Sequence, residues 1–169
     1  IQGNKKLDFI QPILIKFEIK IAIFLQLDND LVIKHGIGWI ETNSKFKNYF
    51  KELSNKFPEV LFLVKNHPLS KGKITTTTSF TYDNSNVILV DDIHYKNILA
   101  ICSKVLVVNS SVGLQAMMWG KECGILGDSF YHFPEINTRL NSKEDVEKFI
   151  IDHPKKVDLS LVNKFIYYL

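Results

Sequence analysis

Hydrophobic positions along this chain follow two alternating patterns. Short, nearly continuous apolar runs occur at Lys20–Leu25, Val60–Val64, Val87–Val90, Val105–Val108 and Glu122–Leu126. Runs of this length, closed by polar residues or glycine, predict buried strands, and the β-branched residues among them favour extended backbone. Between the runs, apolar residues recur at three- and four-residue steps. Phe46, Tyr49, Phe50, Leu53 and Phe57 share one face of a helix predicted over 41–57, with Lys45, Lys47, Lys51 and Lys56 mostly away from that face. Tyr95, Ile98, Leu99 and Cys102 form the stripe of a second helix, which Asp92 is expected to cap. Leu114–Trp119 is apolar on nearly every side and predicts a buried helix, with Ser110 and Ser111 as cap residues and Gly120 as terminator. Val146, Phe149 and Ile150 mark another helix, opened by the capping-box pattern of Asn141 and Glu144. A last helix starts near Asp158 or Ser160 and carries Leu161, Val162, Phe165 and Ile166. The final Leu169 is apolar and has no C-cap, as expected of a chain cut near a helix end.

Strands alternating with helices predict an α/β fold, a parallel sheet covered on both faces. One domain is expected over 20–169, because 169 residues suit a single domain and no internal boundary or repeat is present. Residues 1–19 read as a linker or docking segment. Ile13–Phe17 suits an edge strand or a surface linker, and Pro12 argues against a helix there. Ser70–Ser79, with four consecutive threonines, reads as a loop or an edge strand.

In open α/β sheets, ligands bind at the C-terminal ends of the strands, so the residues just after each run are the candidates for chemistry. They are Gln26–Asp30, Lys65-Asn66-His67-Pro68, Asp91-Asp92, Asn109-Ser110-Ser111-Val112-Gly113 and Gly127-Asp128. Ser110 and Ser111 sit where a strand feeds a helix, with unpaired amides and the positive dipole end expected beside them. Gly113 permits close backbone approach, so the turn suits an anion. An ordinary capped helix carries the same pattern. Asp91 and Asp92 could work as an acid/base pair, though a helix cap explains Asp92 more simply. Gly36-Ile37-Gly38 is no dinucleotide fingerprint, because Glu41 stands where the third glycine would be.

Charge narrows the partners. The net charge is +3 with a pI near 8.7, too weak a bias for nucleic acid but suited to an anionic ligand or an anionic membrane surface. Arg139 is the sole arginine, so a phosphate site here must use lysine, histidine, hydroxyls and backbone rather than arginine forks. Cys102 and Cys123 lack CxxC spacing and read as buried, reduced thiols. The five histidines show no metal-ligand spacing, so no metal or cofactor is expected, and His35, His94, His132 and Tyr131 read as structural or surface residues. With no signal peptide and no membrane-spanning run, a cytoplasmic location is expected, with an inner-membrane surface as a further partner.

Taken in chain order, four pieces resemble the capsule polysaccharide biosynthesis family, the bacterial Kdo transferases. They are Leu25-Gln26 with Asp30, Lys65-Asn66-His67-Pro68, Asn109-Ser110-Ser111-Val112-Gly113-Leu114-Gln115-Ala116, and Gly120-Lys121 leading to Gly127 and Tyr131. The closing Leu161–Leu169 is similar to that family's last helix. The His-Pro and Ser-Ser pieces also occur in bacterial sialyltransferases and polysialyltransferases. The resemblance implies a Rossmann-like domain, one half of a GT-B glycosyltransferase using a CMP-activated sugar, CMP-Kdo first. Its acceptor would be a glycolipid or polysaccharide, bound by a separate N-terminal domain.

By this likeness His67 and Lys65 lie near the CMP phosphate, Ser110 and Ser111 hold the same phosphate, and Asp30 is the nucleophile. Gln26, Gly113 and Gln115 fall within the donor-binding pieces. Two positions depart from the family. Gln115 stands where Glu is frequent, and His35-Gly36 where His-Ser is frequent. A sialyltransferase, a CDP-glycerol glycerophosphotransferase and a non-catalytic binding module are the alternatives.

Overall fold

The computed structural model of the protein describes residues 4–26, 38–41, 43–70 and 85–169. Its strands are β1 (Lys20–Phe24), β2 (Leu61–Lys65), β3 (Val87–Leu89), β4 (Lys104–Val107), β5 (Glu122–Ile125) and β6 (Thr138–Arg139). All pair in parallel, in the order β3-β2-β1-β4-β5-β6. The helices are α1 (Asn4–Leu14), α2 (Asn43–Lys56), α3 (Tyr95–Ile101), α4 (Val112–Met118), α5 (Lys143–Ile151) and α6 (Leu159–Tyr168).

Side chains alternate across each strand, and helices bury both sets. Ile21 and Ile23 of β1 pack with Phe46, Phe50 and Leu53 of α2 and with Phe149 and Ile150 of α5. Ala22 and Phe24 face the other way, onto Ile10 and Leu14 of α1, Ile98 and Leu99 of α3, Met117 of α4 and Val162 of α6. Burial on both faces is why the central strands read as unbroken apolar runs. The fold is a three-layer, Rossmann-like α/β sheet. Its strand order reverses between β1 and β4, and a crevice opens there beyond the carboxyl ends of the strands.

Several local expectations are corrected. Residues 4–14 form a helix that continues through Pro12, with Ile10 and Leu14 buried under the sheet. Proline there removes one helix hydrogen bond and crowds the carbonyl four residues back, a cost that the burial of Ile10 and Leu14 offsets. α3 is capped by the His94 ring, which accepts from the Lys96 N–H, and not by Asp92. The box that opens α5 is one residue later than Asn141 and Glu144 suggest. The Ser142 hydroxyl accepts from Asp145 N–H, and the Asp145 carboxylate accepts from Asn141 N–H. α4 is only part buried, with Met118 and Trp119 exposed. The two-residue β6 is too short to show a pattern in sequence. Ser70–Ser79 lies almost wholly outside the described residues.

Gly120 does end α4, with φ +67°. Its N–H reaches Met117 O at 2.8 Å and the Lys121 N–H reaches Ala116 O at 3.0 Å, the paired bonds of a Schellman turn.

A closed cluster occupies the opposite, amino-terminal edge of the sheet. Lys104 and Glu122 are register partners on β4 and β5. The Lys104 ammonium is fully buried, 3.7 Å from Glu122 Oε2, and donates to the carbonyls of Phe149 and Asp152 at the end of α5. Desolvation pulls its pKa below the ordinary lysine value, with Glu122 and Asp152 opposing.

Candidate functional site

Three strand ends meet at the crevice. Leu25 and Gln26 follow β1, Asn66 and His67 follow β2, and Val108 to Ser111 follow β4. The Asn109 N–H donates to Gln26 Oε1 at 3.2 Å, a bond across the point where the strand order reverses. Gln26, His67, Asn109, Ser110, Ser111, Asp128, Ser129 and Phe130 line one cleft of about 250 Å³. That volume lies near the lower end of small-molecule sites, roughly 300–1,000 Å³, and suits a phosphate with one or two rings.

His67 is held from its own loop and from the next. Its Nδ1 accepts from the Leu69 N–H at 3.2 Å, which puts the neutral ring's proton on Nε2 and makes that nitrogen a donor. The carboxylate of Asp91 takes both donors of the preceding residue, the Asn66 N–H at 2.7 Å and the Asn66 amide at 2.9 Å. Asp91 therefore fastens the His67 loop.

Lys65 is not brought to the cleft. Its ammonium donates to the carbonyls of Asp91 at 2.6 Å and Ile93 at 2.8 Å, and grips the loop between β3 and α3. The physical reason is the pair of loop carbonyls beside it, which satisfy a part-buried ammonium.

The Ser110–Ser111 turn also differs from a simple anion cradle. The Val112 N–H points at Ser110 Oγ at 3.4 Å, and the Gly113 N–H at Ser110 O at 2.9 Å. Two amides expected to face an anion are thus satisfied within the turn. Ser111 occupies the N-cap position with helical φ and ψ, and its side chain makes no capping bond. Ser110 and Ser111 both line the cleft, and the Val112 and Gly113 amides are turned back onto Ser110.

Gly113 has a packing reason. A Cβ there would lie 2.4 Å from Tyr131 Oη and 3.1 Å from Cys123 Sγ. Tyr131 is fully buried, and its hydroxyl donates to the Ser110 carbonyl. Burial, with Cys123 beside it, pushes its phenol well above the usual tyrosine range. Burial likewise raises the Cys102 thiol to about 11. Gln115 sits on α4 away from the cleft lining, and its Oε1 is buried without a partner among the described residues. Asp30 lies outside the described residues, as do His35 and Gly36.

Sequence reasoning carried Asp128 only as a strand-end residue and missed Ser129 and Phe130 as site residues. They follow β5, so the strand-end rule could have found them. Arg139 on β6 donates to Asp128 Oδ1 at 2.6 Å and to the Gly127 carbonyl, fixing the start of this loop. Among the described residues no cluster of His, Cys, Asp and Glu could hold a metal ion. No helix among them is long and apolar enough to cross a membrane.

The family model described as "Capsule polysaccharide biosynthesis protein" matches residues 6–168. Protein FixF of Sinorhizobium fredii (strain NBRC 101917 / NGR234) is 23% identical over 120 residues, covering 69% of this chain and 28% of FixF. The fold is similar to Thermosulfurimonas dismutans KpsC, beta Kdo 2,7 transferase, with a TM-score of 0.56 and 18% identity over 96% of this chain and 53% of that one. KpsC, beta Kdo 2,4 transferase, of the same organism gives a TM-score of 0.52 and 14% identity over 98% and 62%. The chain thus spans 28% of FixF and 53% and 62% of these two transferase chains.

Proposed function

This chain belongs to the family of capsule polysaccharide biosynthesis proteins, and we propose that it is the donor-binding half of a GT-B glycosyltransferase of that pathway. In this reading residues 20–169 bind a CMP-activated sugar, CMP-Kdo first, and residues 1–19 dock on the domain. The acceptor is a glycolipid or polysaccharide, held by a separate domain.

One observation carries the reading. Gln26, His67, Ser110 and Ser111 come from three distant loops and share one cleft at the switch point of the sheet. The chemistry suits a departing cytidylate. As the bond from sugar to phosphate breaks, charge builds on the phosphate. The Nε2–H of His67 and the hydroxyls of Ser110 and Ser111 stabilise that charge more in the transition state than in the ground state. The strand-end frame around them costs no reorganisation at that moment. Asp30 keeps the nucleophile's role in this proposal. Its carboxylate captures the oxocarbenium-like carbon as CMP leaves, and the acceptor oxygen then displaces it, giving net retention.

Calorimetric titration of the full chain with CMP tests this. CMP binds, and His67→Ala weakens it at least about tenfold, the scale of one charge-assisted hydrogen bond. Equal binding by both proteins would overturn the site. Competition among CMP-Kdo, CMP-sialate and CDP-glycerol then separates the Kdo reading from the other surface-polymer donors.

A further inference from the structure

The cleft has a second wall. Beyond β5 the chain turns through Asp128, Ser129 and Phe130 and re-enters the core at Tyr131. Phe130 is 69% exposed and stands at the lip of the cleft. It is also held in place. Tyr131 packs against it edge to face, with ring centroids 5.2 Å apart, and is itself anchored by its bond to the Ser110 carbonyl. The buried Asn137 amide donates to the Tyr131 carbonyl at 2.8 Å and fastens the loop from beneath. Asp128 is oriented by Arg139 through Oδ1, and Oδ2 remains to accept a further donor.

Charge orders the ligand within the cleft. Asp128, paired with Arg139 through Oδ1, presents Oδ2 as an acceptor and no donor, whereas His67, Ser110 and Ser111 offer donors to an anion. The neutral, donor-bearing end of the ligand therefore belongs at Asp128 and Phe130.

Resting on the donor-binding reading above, we propose that Asp128 and Phe130 form a nucleoside subsite. Phe130 stacks on the base, and Asp128 accepts from an exocyclic amine of the kind cytosine carries at N4. Uracil presents an acceptor at the equivalent position, so the carboxylate selects cytidine over uridine.

Titration of the full chain with CMP, UMP and ribose 5-phosphate tests the subsite. Wild type binds CMP more tightly than UMP, and both more tightly than ribose 5-phosphate. Phe130→Ala lowers CMP affinity about tenfold, the scale of one aromatic–base stack, and leaves ribose 5-phosphate unchanged. Phe130→Trp retains CMP binding. Asp128→Asn narrows the ratio of CMP to UMP. If Phe130→Ala binds CMP as wild type does while His67→Ala loses it, the subsite is overturned and the phosphate site stands. If CMP does not bind wild type, or binds with no dependence on His67, the donor-binding reading falls and the subsite with it.

Discussion

The two edges of this sheet handle charge in opposite ways. At the amino-terminal edge, Lys104 and Glu122 face each other from the first residues of β4 and β5, sealed from water. The ammonium is matched by the Phe149 and Asp152 carbonyls, and Glu122 also accepts from the Lys155 N–H at 2.9 Å. At the carboxyl-terminal edge, His67, Ser110, Ser111 and Asp128 surround an open cleft. Charge at the strand starts is neutralised within the chain and ties α5 to the sheet. Polar groups at the strand ends remain accessible to a ligand. Burial together with a full set of partners marks a structural charge, while a polar group that keeps donors or acceptors facing solvent marks a binding one.

Four measurements would break or sharpen this contrast. Lys104→Ala leaves two helix carbonyls and Glu122 without their buried cation and should cost about 3–5 kcal/mol in urea unfolding. A loss under about 1 kcal/mol would mean that the sealed edge is not structural. Gly113→Ala places a methyl against Tyr131 and should cost about 1–3 kcal/mol, partly restored by adding Tyr131→Phe. Without that restoration, the clash with the hydroxyl is not the cause.

Alkaline pH gives a third, graded effect. The thiols of Cys102 and Cys123 and the phenols of Tyr49 and Tyr131 are all raised in the folded state, each chiefly by burial. Stability from these groups is complete below their unfolded values and falls as pH climbs from near 9 past the folded Cys102 value of about 11. Each group contributes a slope of up to about 1.4 kcal/mol per pH unit within its window. Thermal melts from pH 8 to 11 should show the decline, and a flat profile would contradict the burial of these groups. His67→Ala is the smallest change in stability, within about 0.5 kcal/mol, because the ring is only part buried and lies outside both core clusters. A larger loss would make His67 part of the frame rather than of the cleft.

Much of the fold was legible because strands and helices leave local signatures. Val105–Val108 and the face Phe46, Phe50, Leu53 declare themselves within a few residues. Caps were less legible. His94 and Ser142 displaced Asp92 and Asn141, since several polar residues compete for each helix start and the backbone angles choose among them. In the site, His67 and the two serines were visible as strand-end residues. The separate fates of Lys65 and His67, two positions apart, were not. One reaches the carbonyls of a neighbouring loop, and the other lines the cleft.

The sequence by itself determined the succession of elements and placed the polar residues just after the strands, because periodicity and propensity act over a handful of neighbours. Only the tertiary structure decided that β1 lies between β2 and β4, bringing Gln26 against Asn109 and His67 into the same cleft as Ser110. It alone closed Lys104 away, and it set Phe130 at the rim. Strand pairing joins residues far apart in the chain, and the partners of a side chain depend on which backbone groups that pairing leaves beside it.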